Sequence, residues 1–140
     1  MLGVTINNKH TWRDWNMVLN EYPTVSPPAP KEKLVDLPGA DGSLDFTEVH
    51  AGRVLYETRR ITLKLTIMAD RALWPSIYSD VLTAIHGQEV QITMDDDTEY
   101  YWSGRAKVTK YDPDKVTATM TITAEVKPHK THRETGKKVL

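Results

Sequence analysis

The feature that most constrains the fold is a strict two-residue alternation, KVTATMTITAEVK, at positions 115–127. A second run, RRITLKLTI within 53–68, repeats the pattern. Successive side chains of a strand point to opposite faces, so each run predicts a half-buried β-strand. The apolar members of the two runs are Val116, Ala118, Met120, Ile122, Ala124 and Val126, and Ile61, Leu63, Leu65 and Ile67.

Between these strands the hydrophobic period changes from two to three or four. In LWPSIYSDVLTAIHG (73–87) the spacing predicts one amphipathic helix over about 74–86. Pro75 fits the first helical turn, where its missing N–H is no loss, and Gly87 fits the left-handed cap. The apolar face consists of Trp74, Ile77, Tyr78, Val81, Leu82 and Ile85.

The remaining strand signals complete a mainly β (α+β) chain. DDDTE (95–99) and DPD (112–114) predict hairpin turns that join an antiparallel meander. We predict an antiparallel β-sandwich or curved sheets with one helix packed across, in a domain spanning 1–127. The basic segment 128–140 is predicted to be a tail without fixed structure of its own. Shorter predicted strands are 2–6, 15–22, 33–37, 88–94 and 100–111.

Composition excludes several function classes. A length of 140 residues with 39% apolar residues suits one domain with a moderate core. The absence of cysteine excludes disulfides, thiolate metal sites and a Cys nucleophile. Eighteen basic against 19 acidic residues argue against a dedicated nucleic-acid binder. No run reaches the length of a membrane helix, so we expect a soluble protein made in the cytoplasm, without membrane insertion or cofactor.

Two loops carry most of the turn-forming residues. PTVSPPAPKEK (23–33) predicts an exposed, semi-rigid loop, because proline favours extended backbone and cannot donate to a sheet. DLPGADGSLDFTEV (36–49) predicts a connector with two turns: a type II turn at 37–40 and a second at Asp41-Gly42. Its four carboxylates leave a calcium loop open as an alternative, although the spacing is not that of an EF-hand.

The other polar clusters have simpler interpretations. The acidic run 95–99 is predicted to be a solvated hairpin tip, with a metal site as the alternative. His129 and His132 are spaced for zinc on a helix, but Pro128 disfavours a helix there. No nucleophile elbow or phosphate-binding glycine loop is present in the sequence. The aromatic residues Trp12, Trp15, Tyr22, Tyr100, Tyr101 and Trp102 suit partner contact, core packing or sugar stacking.

Several of these segments together resemble the distal tail proteins (Dit family) of long-tailed, non-contractile phages. The connector resembles the family's D-[LIV]-P-G-x-D-G-x-[LI]-D-[LF]-[ST] linker. Tyr56, Arg59 and Ile61 match the following Y-x-x-R-x-[IL] strand. IHGQEVQITMDDDTEYYWSGRAKV and AEVKPHK look like the family's later segments, so the resemblance spans about 2–130. Many members continue into a second, often galectin-like domain. This sequence stops at Leu140 and suggests a short form.

The resemblance implies a structural virion protein at the tail tip, assembled in the host cytoplasm. Six copies would form a ring that joins the tail tube to the tip or baseplate and lets DNA pass. Its implied partners are the tail tube protein, the tape-measure protein and the tail-tip hub protein. We expect the proline loop and the tail to order on assembly. The predicted interface residues are Trp12, Trp15, Tyr22, Pro27, Pro28, Pro38, Gly39, Asp41, Gly42, Tyr101 and Trp102.

Three other functions remain open on the residues alone. The first is a tail-tube or head–tail completion ring protein, which shares the sheet-plus-helix ring architecture. The second is a carbohydrate-binding module that uses exposed aromatic residues. The third is a small metal-dependent hydrolase that uses the acidic clusters. Ring formation, glycan binding and chelator-sensitive activity would separate them.

Overall fold

A computed structural model describes residues 2–49 and 52–140 of the chain. Within those ranges it contains one α-helix, α1 (Trp74–Ile85), preceded by a 3-10 turn at Arg71–Leu73. The first strands are β1 (Val4–Ile6), β2 (Lys9–His10), β3 (Met17–Leu19), β4 (Thr24–Val25), β5 (Leu34–Asp36) and β6 (Ser43–Asp45). The later strands are β7 (Arg59–Ile67), β8 (Glu89–Met94), β9 (Tyr100–Pro113), β10 (Ala118–Val126), β11 (Lys130–His132) and β12 (Lys138–Val139).

These strands form one large antiparallel sheet and one separate hairpin. In the large sheet, hydrogen-bonded neighbours follow the order β2-β1-β8-β9-β10-β7-β3. Strand β4 also pairs with β7, while β11 pairs with β9 and carries β12. The separate hairpin consists of β5 and β6. The predicted class, mainly antiparallel β with one helix, is therefore confirmed.

The centre of the core is the pair β7 and β10. Their register runs without a break from Ala118 opposite Ile67 to Val126 opposite Arg59. Apolar side chains at every second position of both strands are buried, which confirms the predicted alternation. Val116 is the exception: it lies before β10 begins and is 85% exposed. The alternation in the sequence therefore begins at Val116 in the preceding turn, whereas the strand begins at Ala118.

Helix α1 closes one side of this core. Its buried residues are Trp74, Ile77, Val81 and Ile85. Pro75 occupies the first turn and Gly87 takes a φ of 74°, so both ends of the helix are as predicted. Tyr78 stacks on Tyr111 of β9, with ring centroids 4.0 Å apart and planes at 8°. These contacts fix the helix against the strand that also carries the aromatic residues 100–102.

The prediction of an unstructured tail is wrong. Strands β11 and β12 pair with each other, and β11 pairs with β9 at Thr131–Tyr101 and His132–Tyr100. The backbone N–H of Lys127 donates to the carbonyl of Ser103 at 2.9 Å, so the segment after β10 continues along β9. Backbone pairing with an existing strand supplies the order that the polar tail sequence lacks.

The predicted strand 15–22 is also shorter in the structure, where only Met17–Leu19 is extended. Asn16 has a φ of 51°, a left-handed conformation that a strand cannot include. In the described ranges, no helix has the length and apolar character needed to span a bilayer.

Candidate assembly interface

The connector predicted at 36–49 contains the turn and the second strand of an exposed β-hairpin. Strand β5 pairs with β6 through Leu34–Asp45, Val35–Leu44 and Asp36–Ser43. Phe46 N donates to Lys33 O at 2.7 Å and extends the pairing by one residue. We refer to residues 34–46 as the arm.

The tip of the arm has the turn that the sequence predicts. Ala40 N donates to Leu37 O at 3.2 Å, and Gly39 has a φ of 79°. Pro38 and Gly39 thus occupy the two central positions of a type II turn. Gly42 has a φ of 71° and forms the second bend. The double turn is confirmed, and its effect is to reverse the chain so that β6 can pair with β5.

The arm exposes apolar side chains that a stable domain normally buries. Leu34, Leu37 and Leu44 are each about half exposed, at 54%, 45% and 45%. Val35 and Phe46 are exposed as well. An isolated two-stranded hairpin is at best marginally stable in water. Exposed apolar side chains concentrated on such an element are typical of a surface that a partner covers.

The arm is also acidic. It carries Asp36, Asp41 and Asp45, Glu48 follows, and no Lys or Arg occurs between positions 34 and 49. The hydroxyl and backbone N–H of Thr47 both donate to Asp45 and hold the pKa of that carboxyl below its ordinary value. Its negative charge therefore persists to more acidic pH.

The root of the arm is tied to the sheet by a ladder of hydrogen bonds. Lys31 N donates to Leu55 O at 2.7 Å, and Glu57 N donates to Ala29 O at 2.8 Å. Closer to the sheet, β4 pairs with β7. The proline loop 23–33 is therefore one limb of this extension, which leaves the sheet edge and ends in the arm.

Arg59 joins the root of the arm to the C-terminal segment. Its Nε donates to Ser26 O at 2.8 Å, and its Nη1 donates to Pro128 O at 3.4 Å. The guanidinium carbon lies 4.8 Å from the ring centroid of Trp102, within cation–π range. Burial lowers the pKa of Arg59 from its ordinary value, but an arginine stays charged at neutral pH. Tyr56 adds an edge-on contact with His129, at 6.1 Å between ring centroids.

We expect Arg59→Ala to lower the free energy of unfolding by about 2 kcal/mol, because it removes one cation–π contact and two hydrogen bonds from a charged donor. Urea denaturation followed by tryptophan fluorescence measures the change. Arg53→Ala is the matched control, since Arg53 is exposed and, among the described residues, donates to the neighbouring Val54 carbonyl alone, at 3.5 Å. Equal stability of the two variants would show that Arg59 does not tie these segments together.

Three carboxylates of the acidic turn 95–99, which was predicted to be solvated, each bond to other segments of the chain. Asp95 accepts from His10 Nε2 and from Gly3 N, both at 2.8 Å. Asp97 pairs with Lys130 at 2.6 Å. Asp96 accepts from the Tyr22 hydroxyl, and this bond raises the pKa of Tyr22 above its ordinary value. Separate partners for each carboxylate make this turn a junction between the N-terminal and C-terminal segments.

A groove lies where the C-terminal segment meets β9. It has a volume of about 310 Å³ and is lined chiefly by Tyr101, Lys127, Pro128, His129 and Lys138. We refer to it as the C-terminal groove. Its lining includes two lysines and a histidine but no carboxylate. Apart from Tyr101, these residues were not among the predicted interface residues; the sequence signal for them is the basic composition of 127–138.

The predicted interface residues fall into two groups. Trp15 and Trp102 are 4% and 6% exposed, so they belong to the core and the interface prediction is corrected for both. Adjacent strand residues face opposite ways, and Tyr101 is the half-buried neighbour of Trp102. The predicted residues that keep exposed or half-exposed side chains or backbone are Trp12, Tyr22, Pro27, Pro28, Pro38, Gly39, Asp41, Gly42 and Tyr101. Their role as an interface stays a prediction.

Among residues 2–49 and 52–140, the structure brings together no group of three or more His, Asp or Glu side chains suited to holding a metal ion. The four carboxylates at 36–48 are spread along both limbs and the end of an exposed hairpin. The calcium-loop alternative therefore has no geometric support in the described residues.

The sheet order and its single covering helix define a mainly antiparallel β-domain. Among solved structures, this fold is similar to the SPP1 Dit (gp 19.1) protein, with a TM-score of 0.73 and 14% sequence identity. The match covers 94% of this chain and 52% of that chain, so the sequence spans about half the length of the SPP1 protein. The SPP1 protein is described as a paradigm of the hub adsorption apparatus in phages that infect Gram-positive bacteria.

This similarity confirms that the chain has the fold of a phage distal tail protein, as the motifs predicted. No protein-family model matches the sequence, and no curated protein matches it significantly. The overall fold is therefore similar at a sequence identity of only 14%.

Proposed function

We propose that this chain is a structural protein of a phage tail, a distal tail protein whose copies form a hexameric ring between the tail tube and the tail tip. The observation that carries the proposal is the fold similarity to the SPP1 Dit protein over 94% of the chain. Its partners would be the tail tube protein, the tape-measure protein and the tail-tip hub protein. Its place would be the virion tail, after assembly in the host cytoplasm.

The arm supports a multi-copy role. Its apolar side chains lie exposed at the end of an extension rather than against the core of their own chain. Closed homo-oligomers bury such surfaces against the neighbouring subunit. We therefore assign the arm to contacts between adjacent copies in the ring.

The charge balance supports a ring through which DNA passes without being held. Tight duplex binding depends on a basic excess that releases counterions from the phosphates. Here the formal net charge is −1. On the outer face of the central strands, Arg60 pairs with Glu125 at 2.8 Å and Lys64 with Glu21 at 3.2 Å, which leaves Lys107 without a carboxylate partner among the described residues. A wall of this kind offers few free cations to a passing duplex.

Native mass spectrometry and negative-stain imaging of the purified chain test the proposal. We expect a closed ring with a mass of six copies, either for the chain alone at high concentration or with the neighbouring tail proteins added. Monomers under both conditions would contradict the proposal. A tail-tube protein would instead extend into long stacked tubes, so the same images separate the two ring functions.

A further inference from the structure

We propose that the arm of one copy docks in the C-terminal groove of the next copy, with acidic and apolar side chains of the arm meeting the lysines and Tyr101 of the groove. This inference rests on the proposed function, because it needs a second copy of the chain. It adds the identity of the receiving surface, which the resemblance did not supply.

Charge complementarity selects the groove. Between positions 34 and 49 the sequence has four carboxylates and no Lys or Arg, whereas 127–138 has five basic residues and one carboxylate, Glu134. Within the described residues, Lys127 and Lys138 have no carboxylate within 4 Å, so both cations are available to a partner. Opposite potentials across an interface guide association and fix its register.

The other surface grooves suit an acidic arm less well. The groove on the outer sheet face is lined by Arg60, Arg105 and Lys107 and also contains Glu125; its two arginines already pair with Glu125 and Glu89. The groove beside the helix contains Asp14 and Asp80 against a single lysine. The apolar groove near the N-terminus contains Glu21 as its only charged residue. Each of these grooves contains at least one carboxylate that would face the carboxylates of the arm, whereas the C-terminal groove contains none.

The C-terminal groove also offers apolar contact. Tyr101 and Pro128 lie in its lining, and both are only partly exposed. A tyrosine ring beside a proline can receive an apolar side chain while its hydroxyl stays hydrated. Leu44 and Phe46, exposed on the arm, are side chains of this kind.

The position of the groove favours docking between copies over docking within one chain. The groove lies at the root of the arm, where Tyr56 contacts His129 and Arg59 contacts Pro128. The turn of the arm begins seven residues beyond Pro30, roughly 20 Å away along an extended strand. The ladder between 29–31 and 55–57 stiffens this stretch. An arm that docks in the groove of the next copy forms a head-to-tail contact, and repeated contacts of this kind form a ring when the rotation between copies closes.

Charge reversal tests the pairing. The arm-reversed variant carries Asp36→Lys and Asp41→Lys, and the groove-reversed variant carries Lys127→Glu and Lys138→Glu. We expect each variant alone to assemble at least about tenfold more weakly than the unmodified chain, because every contact then sets like charges together. Mixed in equal amounts, the two variants recover assembly into rings of alternating copies, since both kinds of contact are again between opposite charges.

A third variant, Lys107→Glu with Lys110→Glu, is the control for net charge, because these lysines lie on β9 outside the groove. Analytical ultracentrifugation measures assembly, and circular dichroism checks that each variant is folded. If the groove-reversed chain is misfolded, Lys127→Gln with Lys138→Gln replaces it, and the same weakening is expected.

The outcomes separate this inference from the proposed function. Weakening of each variant with recovery in the mixture supports docking of the arm in the groove. If the unmodified chain forms rings and the groove-reversed variant does so equally well, the docking site is wrong while the ring function stands. If the unmodified chain never assembles, both are wrong.

Discussion

Removal of the arm will weaken assembly strongly and leave the domain folded. In the test variant a short Gly-Ser turn joins Lys33 to Thr47, which already lie together through a 3.2 Å hydrogen bond. The paired strands of the arm bond mainly to each other, so we expect the free energy of unfolding to change by less than about 1 kcal/mol. Assembly loses the apolar contacts of five exposed side chains and should weaken at least about 100-fold, because each 1.4 kcal/mol is a factor of ten.

Native mass spectrometry measures assembly, and urea denaturation of the same preparation measures the free energy of unfolding. Val116→Ser is the matched control: Val116 is more exposed than any apolar residue of the arm, at 85%, but lies in the turn before β10. It should assemble as the unmodified chain does. If the armless variant forms rings with the mass of six copies, the arm is not part of the interface.

Gly104→Ala will destabilise the monomer severely. A Cβ at this position would overlap the Glu125 carbonyl oxygen and lie 2.6 Å from Val126 Cα. Both atoms are backbone of the neighbouring strand, where Gly104 pairs with Val126. Neither can retreat without breaking the pairing of β9 with β10, so we expect a loss of about 3 kcal/mol or more.

Urea denaturation of Gly104→Ala measures this loss, with Ser103→Ala as its control one position earlier in the same strand. Ser103→Ala removes a half-exposed hydroxyl and should change the free energy of unfolding by no more than about 0.5 kcal/mol. A Gly104→Ala variant as stable as this control would mean that β9 and β10 lie further apart than the structure places them.

The Gly104→Ala variant and the armless variant test two separate parts of the molecule. Gly104 acts inside the sheet, where a single added methyl group meets backbone on a paired strand. The arm acts outside the sheet, where the 13 residues 34–46 can be removed without touching the core. A chain organised in this way separates the stability of the subunit from its association, so mutations in one region should leave the other measurable.

Local sequence was sufficient wherever one short segment carried the whole reason for its structure. The alternation in β7 and β10 requires only that one face of a strand be buried. Pro75 and Gly87 define the ends of the helix by their own backbone preferences. Pro38 and Gly39 define the turn of the arm in the same way, through a fixed φ and a positive φ.

Sequence reasoning failed where the partner of a residue is distant in the chain. The tail 128–140 looks unstructured because its order comes from β9 and from the Lys130–Asp97 pair, which join residues 30 or more positions apart. The same holds for the acidic turn, whose carboxylates bond to His10, Tyr22 and Lys130. Trp15 and Trp102 were assigned to a surface because nothing in a single strand tells which of its two faces meets the core.

The sequence by itself determined the alternating strands β7 and β10, the helix and the turn of the arm, because hydrophobic period and backbone preference act over a few residues. Only the tertiary structure decided that the basic C-terminal segment folds onto β9, that a groove forms beside Tyr101, and that the arm stands free of the core. Those features depend on which distant segments come into contact. Backbone pairing and opposite charges decide these contacts, and the local sequence pattern does not specify them.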